Sequence, residues 1–227
     1  MAAHDAQRIR DRLLVVLAVT AGATDATAFE RLGHVFASVI TGNLILLGVS
    51  AGSRDALPAL FAGCAIAGYV LGVFAGAPRG ERDQRVWPVG ASVALGLDLA
   101  LLLVFAVGWE IVGGHPGRAM QVILLTMGSG AMGVQSAAVR RLGNVSTTYL
   151  TSTLTGLVES LAIRRWSPSH ARALGILVAA VAGAAGATAL ILYAGAWLPG
   201  VQLLPLAVVL IGSRRLITRP RQDATVS

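Results

Sequence analysis

The sequence predicts an all-α polytopic membrane protein, and three observations predict it. First, 55% of the 227 residues are hydrophobic and only 13% charged, with a mean hydropathy of +0.72. A soluble domain of this length needs far more polar surface. Second, a helix needs about 20 apolar residues to span the hydrocarbon, with about 17 as a lower limit. Six runs meet or approach that: 13–29, 56–77, 87–108, 119–139, 173–196 and 197–213. Third, the charges fall in short clusters between these runs, and all 18 basic residues are arginine. The net charge of +7 therefore reads as a signal that orients helices in a membrane, and a nucleic-acid partner is excluded.

Along the chain, Arg8, Arg10 and Arg12 before the run at 13–29 have the form of a secretory signal, with Ala21-Gly22-Ala23 as the cleavage site. A counterpart of this run later in the chain favours an uncleaved first helix. Residues 35–52 are long enough to span but carry Ser38, Thr41, Gly42 and Asn43, and residues 145–163 carry Ser146, Thr147, Thr148, Thr151, Ser152, Thr153, Thr155 and Glu159. The Thr41-Gly42-Asn43 run suits a broken helix whose backbone lines a polar cavity, with Thr151, Ser152 and Thr153 in the matching place; polar contacts between helices are the alternative. The run at 56–77 has Gly68, Gly72 and Gly76 four apart on one face, and the run at 173–196 repeats that spacing with Gly175, Ala179, Gly183 and Ala187. Such faces permit close packing, which drives helix association in lipid, and both helices are expected near the centre of the fold. Trp87, Trp109, Trp166 and Trp197 fall at run ends, as expected of indole rings in the headgroup layer.

Shifting the sequence by 110 residues places Arg31-Leu32-Gly33 on Arg141-Leu142-Gly143, Thr41 on Thr151 and Trp87 on Trp197. Each half then has four hydrophobic segments in the same order, which points to duplication. If all eight segments span, arginines divide twelve to six; if the two polar segments enter and leave on one face, they divide fifteen to three, with Arg31, Arg54 and Arg118 outside. The second arrangement gives six transmembrane helices plus two broken or re-entrant segments in two inverted repeats, a plan used by transporters; eight or seven full spans is the alternative. It implies a cytoplasmic tail at 1–12, a first membrane repeat at 13–108, an external loop at 109–118, a second repeat at 119–213 and a cytoplasmic tail at 214–227.

Two acids stand inside apolar runs, where an unpaired carboxylate costs several kcal/mol. Asp25, whose repeat partner is Gln135, is a proton acceptor or solute ligand, or else an acid near the helix end paired with Arg31. Asp98 lies at the middle of its segment, furthest from water. Glu159 is expected to pair with Arg164 or Arg165.

The pattern Ala21-Gly22-Ala23-Thr24-Asp25-Ala26, then Phe29, Leu32-Gly33, Val35-Phe36 and Thr41-Gly42-Asn43, resembles the YoaK-like family of bacterial integral membrane proteins. The resemblance extends over the chain in length and segment order. It implies a bacterial inner-membrane location and supplies no activity, because the family is of unknown function.

His4, His34, His115 and His170 are scattered without metal-ligand spacing, Cys64 is the lone cysteine, and no phosphate-binding glycine loop occurs. No cofactor, metal or enzymatic activity is expected. The expectation is a transporter or channel for a small solute or ion, with Asp25 and Asp98 for protonation and Thr41, Gly42, Asn43, Gln135, Thr151, Ser152 and Thr153 along the path. The alternatives are a membrane scaffold or sensor and, third, an intramembrane enzyme. The expected partners are the lipid bilayer and the unknown solute, and homo-oligomerisation is left open.

Overall fold

A computed structural model describes residues 2–77, 85–142, 150–163 and 167–217. Among these residues eight α-helices follow one another: α1 (Ala2–Arg31), α2 (Ile40–Ser53), α3 (Ala56–Gly76), α4 (Val89–Ile111), α5 (Arg118–Arg141), α6 (Leu150–Ala162), α7 (Pro168–Tyr193) and α8 (Leu198–Ser213), with a 3₁₀ turn at Gly195–Trp197 before α8. Six of them, all but α2 and α6, are long and apolar enough to cross a bilayer. At 1.5 Å per residue, the 14 residues of α2 and 13 of α6 reach about 20 Å, well short of a hydrocarbon core of about 30 Å.

Named contacts fix the helix directions. Gln135 of α5 bonds to the Leu17 carbonyl of α1, Gly128 packs on Thr24, and Gln121 bonds to the Arg31 carbonyl, so α1 and α5 run antiparallel. Gly68, Gly72 and Gly76 meet Thr126, Gly130 and Val134, so α3 runs parallel to α5. Phe105 lies at Gly128, Leu101 at Gly130 and Gly90 at Arg141, so α4 is antiparallel to α5. On the other side, Asp11 pairs with Arg172 at 2.7 Å and Gly183 meets Val19, making α7 parallel to α1, while Gly212 at Leu13 and Gln202 at Thr20 make α8 antiparallel to it.

Helices α1, α4 and α7 therefore point one way and α3, α5 and α8 the other. Since α1 and α3 are opposed, α2 begins and ends its course at one end of the bundle, and the same holds for α6 between α5 and α7. Arg31, Arg54 and Arg118 gather at that first end, and Arg8, Arg10, Arg12, Arg85, Arg140, Arg141, Arg172, Arg214 and Arg215 at the opposite one. Contacts also pair off across the halves: α3 packs on α5 as α7 does on α1, α4 on α5 as α8 does on α1, and α2 on α3 as α6 does on α7. In a background with Cys64 changed to Ser, single cysteines at positions 54 and 118 are expected to react with an impermeant thiol reagent from one face and those at positions 8 and 140 from the other. Labelling of positions 54 and 8 from the same face contradicts these directions.

The glycine faces are in backbone contact, but not as expected. A methyl group on Gly72 would overlap the Gly130 carbonyl, and one on Gly68 would meet that of Thr126 at 2.5 Å; Gly183 is equally tight on Val19, and Gly175 packs on the Val15 side chain. Helices α3 and α7 thus do not lie at the centre. The central helices are α1 and α5, the most buried of the spans, and Gly22 and Gly133 on them return the close approach against Ala180 and Tyr69. A helix with a small-residue stripe on one side serves as an outer member of a pair, whereas a central helix must present contact surface all round.

The tryptophan borders also need correction. Trp87 and Trp109 are buried, their indole N–H groups bonded to Ser92 Oγ and the Gly195 carbonyl at 3.0 Å. Only Trp197 is exposed as expected of a ring in the headgroup layer; Trp166 lies outside the described residues.

Candidate functional site: a polar seam between α1, α4, α5 and α8

The first re-entrant element is built from the end of α1. Gly33 and His34 both have left-handed backbone, with φ of 101° and 57°, and reverse the chain there. A side chain on Gly33 would enter the Phe61 ring of α3. Residues 35–39 then run back along α1, burying Val35 and Ala37. Asp25 receives them: its Oδ1 accepts from the Ser38 backbone N–H at 2.7 Å and its Oδ2 from the Ser38 hydroxyl at 2.6 Å. Asn43 closes the loop from the other side, accepting from the Phe36 N–H at 3.0 Å and donating to the Phe36 carbonyl at 2.6 Å. Asp25 stands six residues before Arg31, so the chain has re-entered by about 9 Å when α2 begins.

This geometry changes the meaning of several residues. Asp25 binds Ser38 through both oxygens and anchors the loop, and no ion pair joins it to Arg31 among the described residues. Thr41, Gly42 and Asn43 do not interrupt a helix; they form the first turn of a continuous α2, with Thr41 exposed, Gly42 against Phe36 and Val39, and Asn43 fully buried. The irregular stretch lies before them, because a chain that turns at Gly33-His34 and is held at Ser38 can begin a helix only at Ile40. Thr151 and Thr153 likewise occupy the first turn of α6, Thr151 exposed, while the side chain of Ser152 and residues 143–149 lie outside the described residues. So do Arg164 and Arg165, the expected partners of Glu159. Replacing Asn43 with Ala removes two bonds to the partly buried Phe36 backbone, worth about 1–3 kcal/mol, and is expected to raise backbone hydrogen exchange over residues 34–40 while that of α5 stays unchanged.

A different set of polar groups occupies the centre. Thr20, Thr24 and Thr27 lie on one face of α1, all buried. The Thr20 hydroxyl donates to the Gln202 carbonyl at 3.1 Å, the Thr24 hydroxyl to the Thr20 carbonyl at 2.8 Å and the Thr27 hydroxyl to the Ala23 carbonyl at 2.7 Å. The side-chain N–H of Gln202 donates to Thr27 Oγ1 at 3.3 Å, and that of Gln135 to the Leu17 carbonyl at 3.4 Å. Asp98 completes the set, and Asp98, Gln135 and Gln202 all have no exposed surface. Among the described residues, both Asp98 oxygens, Gln135 Oε1 and Gln202 Oε1 have no hydrogen-bond partner; Ser129 Oγ has none either, but it stands on another face of α5, one residue past Gly128. Such orphans are costly in an apolar interior and ask for an explanation.

Helix register puts Asp98 and Gln135 together. Thr24, Phe105 and Gly128 meet where α1, α4 and α5 touch. Two turns further, on the same face of each helix, stand Leu17, Asp98 and Gln135, and the bond from Gln135 to Leu17 holds that level closed on the α1 side. Asp98 belongs to the buried stripe of α4 that includes Leu102, Phe105 and Trp109, and α4 packs on both α5 and α8. The seam thus runs from Asp98 and Gln135 along the threonine face of α1 to Gln202 and Thr27, about 15 Å or half the hydrocarbon thickness. Thr20 and Gln202 were missed in the sequence, although Gln202 is as isolated in its apolar run as Asp98 is in its own.

A family model described as "Protein of unknown function (DUF1275)" matches residues 13–212. Those limits are also structural ones, since Leu13 packs on Gly212 where α1 meets α8. The chain is 34% identical over 158 residues to the "UPF0700 transmembrane protein YoaK" of Bacillus subtilis (strain 168), covering 68% of each protein. No solved structure matches. The chain is a multi-pass membrane protein and belongs to the DUF1275 family, whose function is unknown.

Proposed function

We propose that this protein moves a small solute or ion across the bacterial inner membrane, along the seam between α1, α4, α5 and α8. The observation that carries this reading is the set of fully buried polar groups without partners, Asp98 foremost among them, at membrane depth. A purely structural bundle is better served by apolar residues at such positions, and intramembrane ionisable groups mark substrate and ion pathways. The opposed helix directions and matched contacts of the two halves support a duplicated, inverted architecture. In transporters of that plan the site sits near the midplane between the repeats, beside discontinuous helices. The arginine-rich end is the cytoplasmic one, by the preference of Lys and Arg for cytoplasmic loops, which makes both termini cytoplasmic.

The test is a proteoliposome survey of small solutes and ions, with and without a pH gradient, on wild type, Gln202→Leu and Thr41→Ala. Gln202 lies in the seam and Thr41 on the exposed face of α2. Flux is expected to fall about tenfold or more in Gln202→Leu, as for a lost buried hydrogen bond to the moving species, and to be unchanged in Thr41→Ala. Measurable flux unaffected by Gln202→Leu contradicts the seam as the path.

A further inference from the structure

We infer that the level formed by Asp98 and Gln135 is a binding site for a small monovalent cation, an alkali ion or ammonium. The inference rests on the transport reading and names the class of species carried.

Hydrogen-bond direction decides the chemistry. The Thr27 hydroxyl proton is committed to the Ala23 carbonyl, so Thr27 Oγ1 accepts from Gln202 and the amide nitrogen of Gln202 faces it. Gln135 faces the Leu17 carbonyl, which can only accept, so its amide nitrogen points there as well. Both amide oxygens are thereby the free ends. With the two Asp98 oxygens, the unpartnered atoms of the seam are all acceptor oxygens. What they lack is a donor or a cation; an anion would meet a carboxylate and acceptor dipoles and be repelled.

Charge sets the valence. Asp98 supplies one negative charge and the remaining ligands are neutral, which balances one positive charge. Among the described residues no cluster of three or more His, Cys, Asp or Glu side chains offers the ligand set of a divalent metal. Arg141 does not fill the role from within. It is the last residue of α5, its Nη2 donates to the Gly76 carbonyl at 2.9 Å, and it packs at Gly90, more than two turns from Asp98 along α4. An oxygen-only site of low charge, held on three rigid helices, suits a weakly hydrated monovalent ion that must also leave again.

The experiment is thermal unfolding of the detergent-solubilised full chain in sodium, potassium or ammonium chloride, each against N-methylglucamine chloride at equal ionic strength. A ligand that binds only the folded state raises Tm in proportion to its occupancy. Wild type is expected to gain several degrees in at least one of the three salts, Asp98→Asn to gain nothing, and Gln135→Leu to need a higher salt concentration for the same gain. Equal gains in wild type and Asp98→Asn, or no gain in any of the three salts, overturn the inference. The flux survey separates this result from the transport reading. Flux of a neutral solute with no cation effect on Tm sinks the cation site alone, whereas an Asp98-dependent Tm gain without flux of any cation keeps the site and sinks transport.

Discussion

Gly72→Leu is expected to abolish recovery of folded protein, while Gly63→Leu on the same helix is tolerated. The two positions differ only in what lies beyond the Cα. A side chain on Gly72 runs into the backbone of Gly130, whereas nothing lies within 4 Å of one on Gly63. Overpacking a core of movable side chains costs about 1–3 kcal/mol. Here the obstacle is a helix backbone, so relief requires α3 and α5 to separate along their whole contact, through Gly68 and Gly76 as well. Packing is the main force that holds helices together in lipid, so that loss is not recovered elsewhere. Monodispersity and Tm after detergent extraction measure it. A Gly72→Leu protein with wild-type yield and Tm contradicts the contact.

Asp98→Asn is expected to have the opposite signature, a more stable protein that no longer works. Both oxygens of the wild-type carboxylate are buried without partners. Asparagine keeps the shape and removes the charge, whose burial costs about 2.5–3.5 kcal/mol at the centre of a membrane helix. A gain of about 1–3 kcal/mol corresponds to a Tm higher by roughly 2–10 °C in a protein of this size. Flux is expected to fall about tenfold or more. A site that gives up stability for function behaves in this way. In N-methylglucamine chloride, where no small cation stabilises the wild type, a lower Tm in Asp98→Asn would mean that the carboxylate is held by partners in the membrane and is not an open site.

The contrast between Asp25 and Asp98 marks what could be read from sequence. Both are acids in apolar runs, and nothing local separates them. Their difference arises because the chain reverses at Gly33-His34 and brings Ser38 back to Asp25, whereas among the described residues no group bonds to Asp98. The six long spans were legible because apolar run length and arginine placement are local properties; the shortness of α2 and α6, 14 and 13 residues, was not, since 35–52 was expected to be long enough to span. The spacing of Gly68, Gly72 and Gly76 was legible for the same reason, but not their partner. Which helix receives a small-residue face depends on the path of the whole chain, and α3 found α5 and α7 found α1, which leaves both outside the centre expected for them. Thr41, Thr151 and their neighbours were read as a break because polar residues in an apolar run look alike at a helix start and within a cavity. Trp87 and Trp109 were misplaced because Ser92 and the Gly195 carbonyl satisfy their indole N–H groups inside the bundle, and only Gly195 is remote in sequence from its partner.

The account turns on whether the seam opens to water, and one measurement addresses that directly. In the Cys64→Ser background, Thr20→Cys places a small thiol in the seam beside Gln202 with little change of volume, and Val93→Cys on the exposed face of α4 serves as the lipid-facing control. A small, membrane-impermeant thiol reagent is added to proteoliposomes from each face in turn. An open seam predicts that Thr20→Cys reacts from at least one face, that potassium, sodium or ammonium slows the reaction, and that Val93→Cys stays unreactive. A Thr20→Cys protein as inert as Val93→Cys from both faces, while a cysteine at position 54 reacts normally, would contradict it.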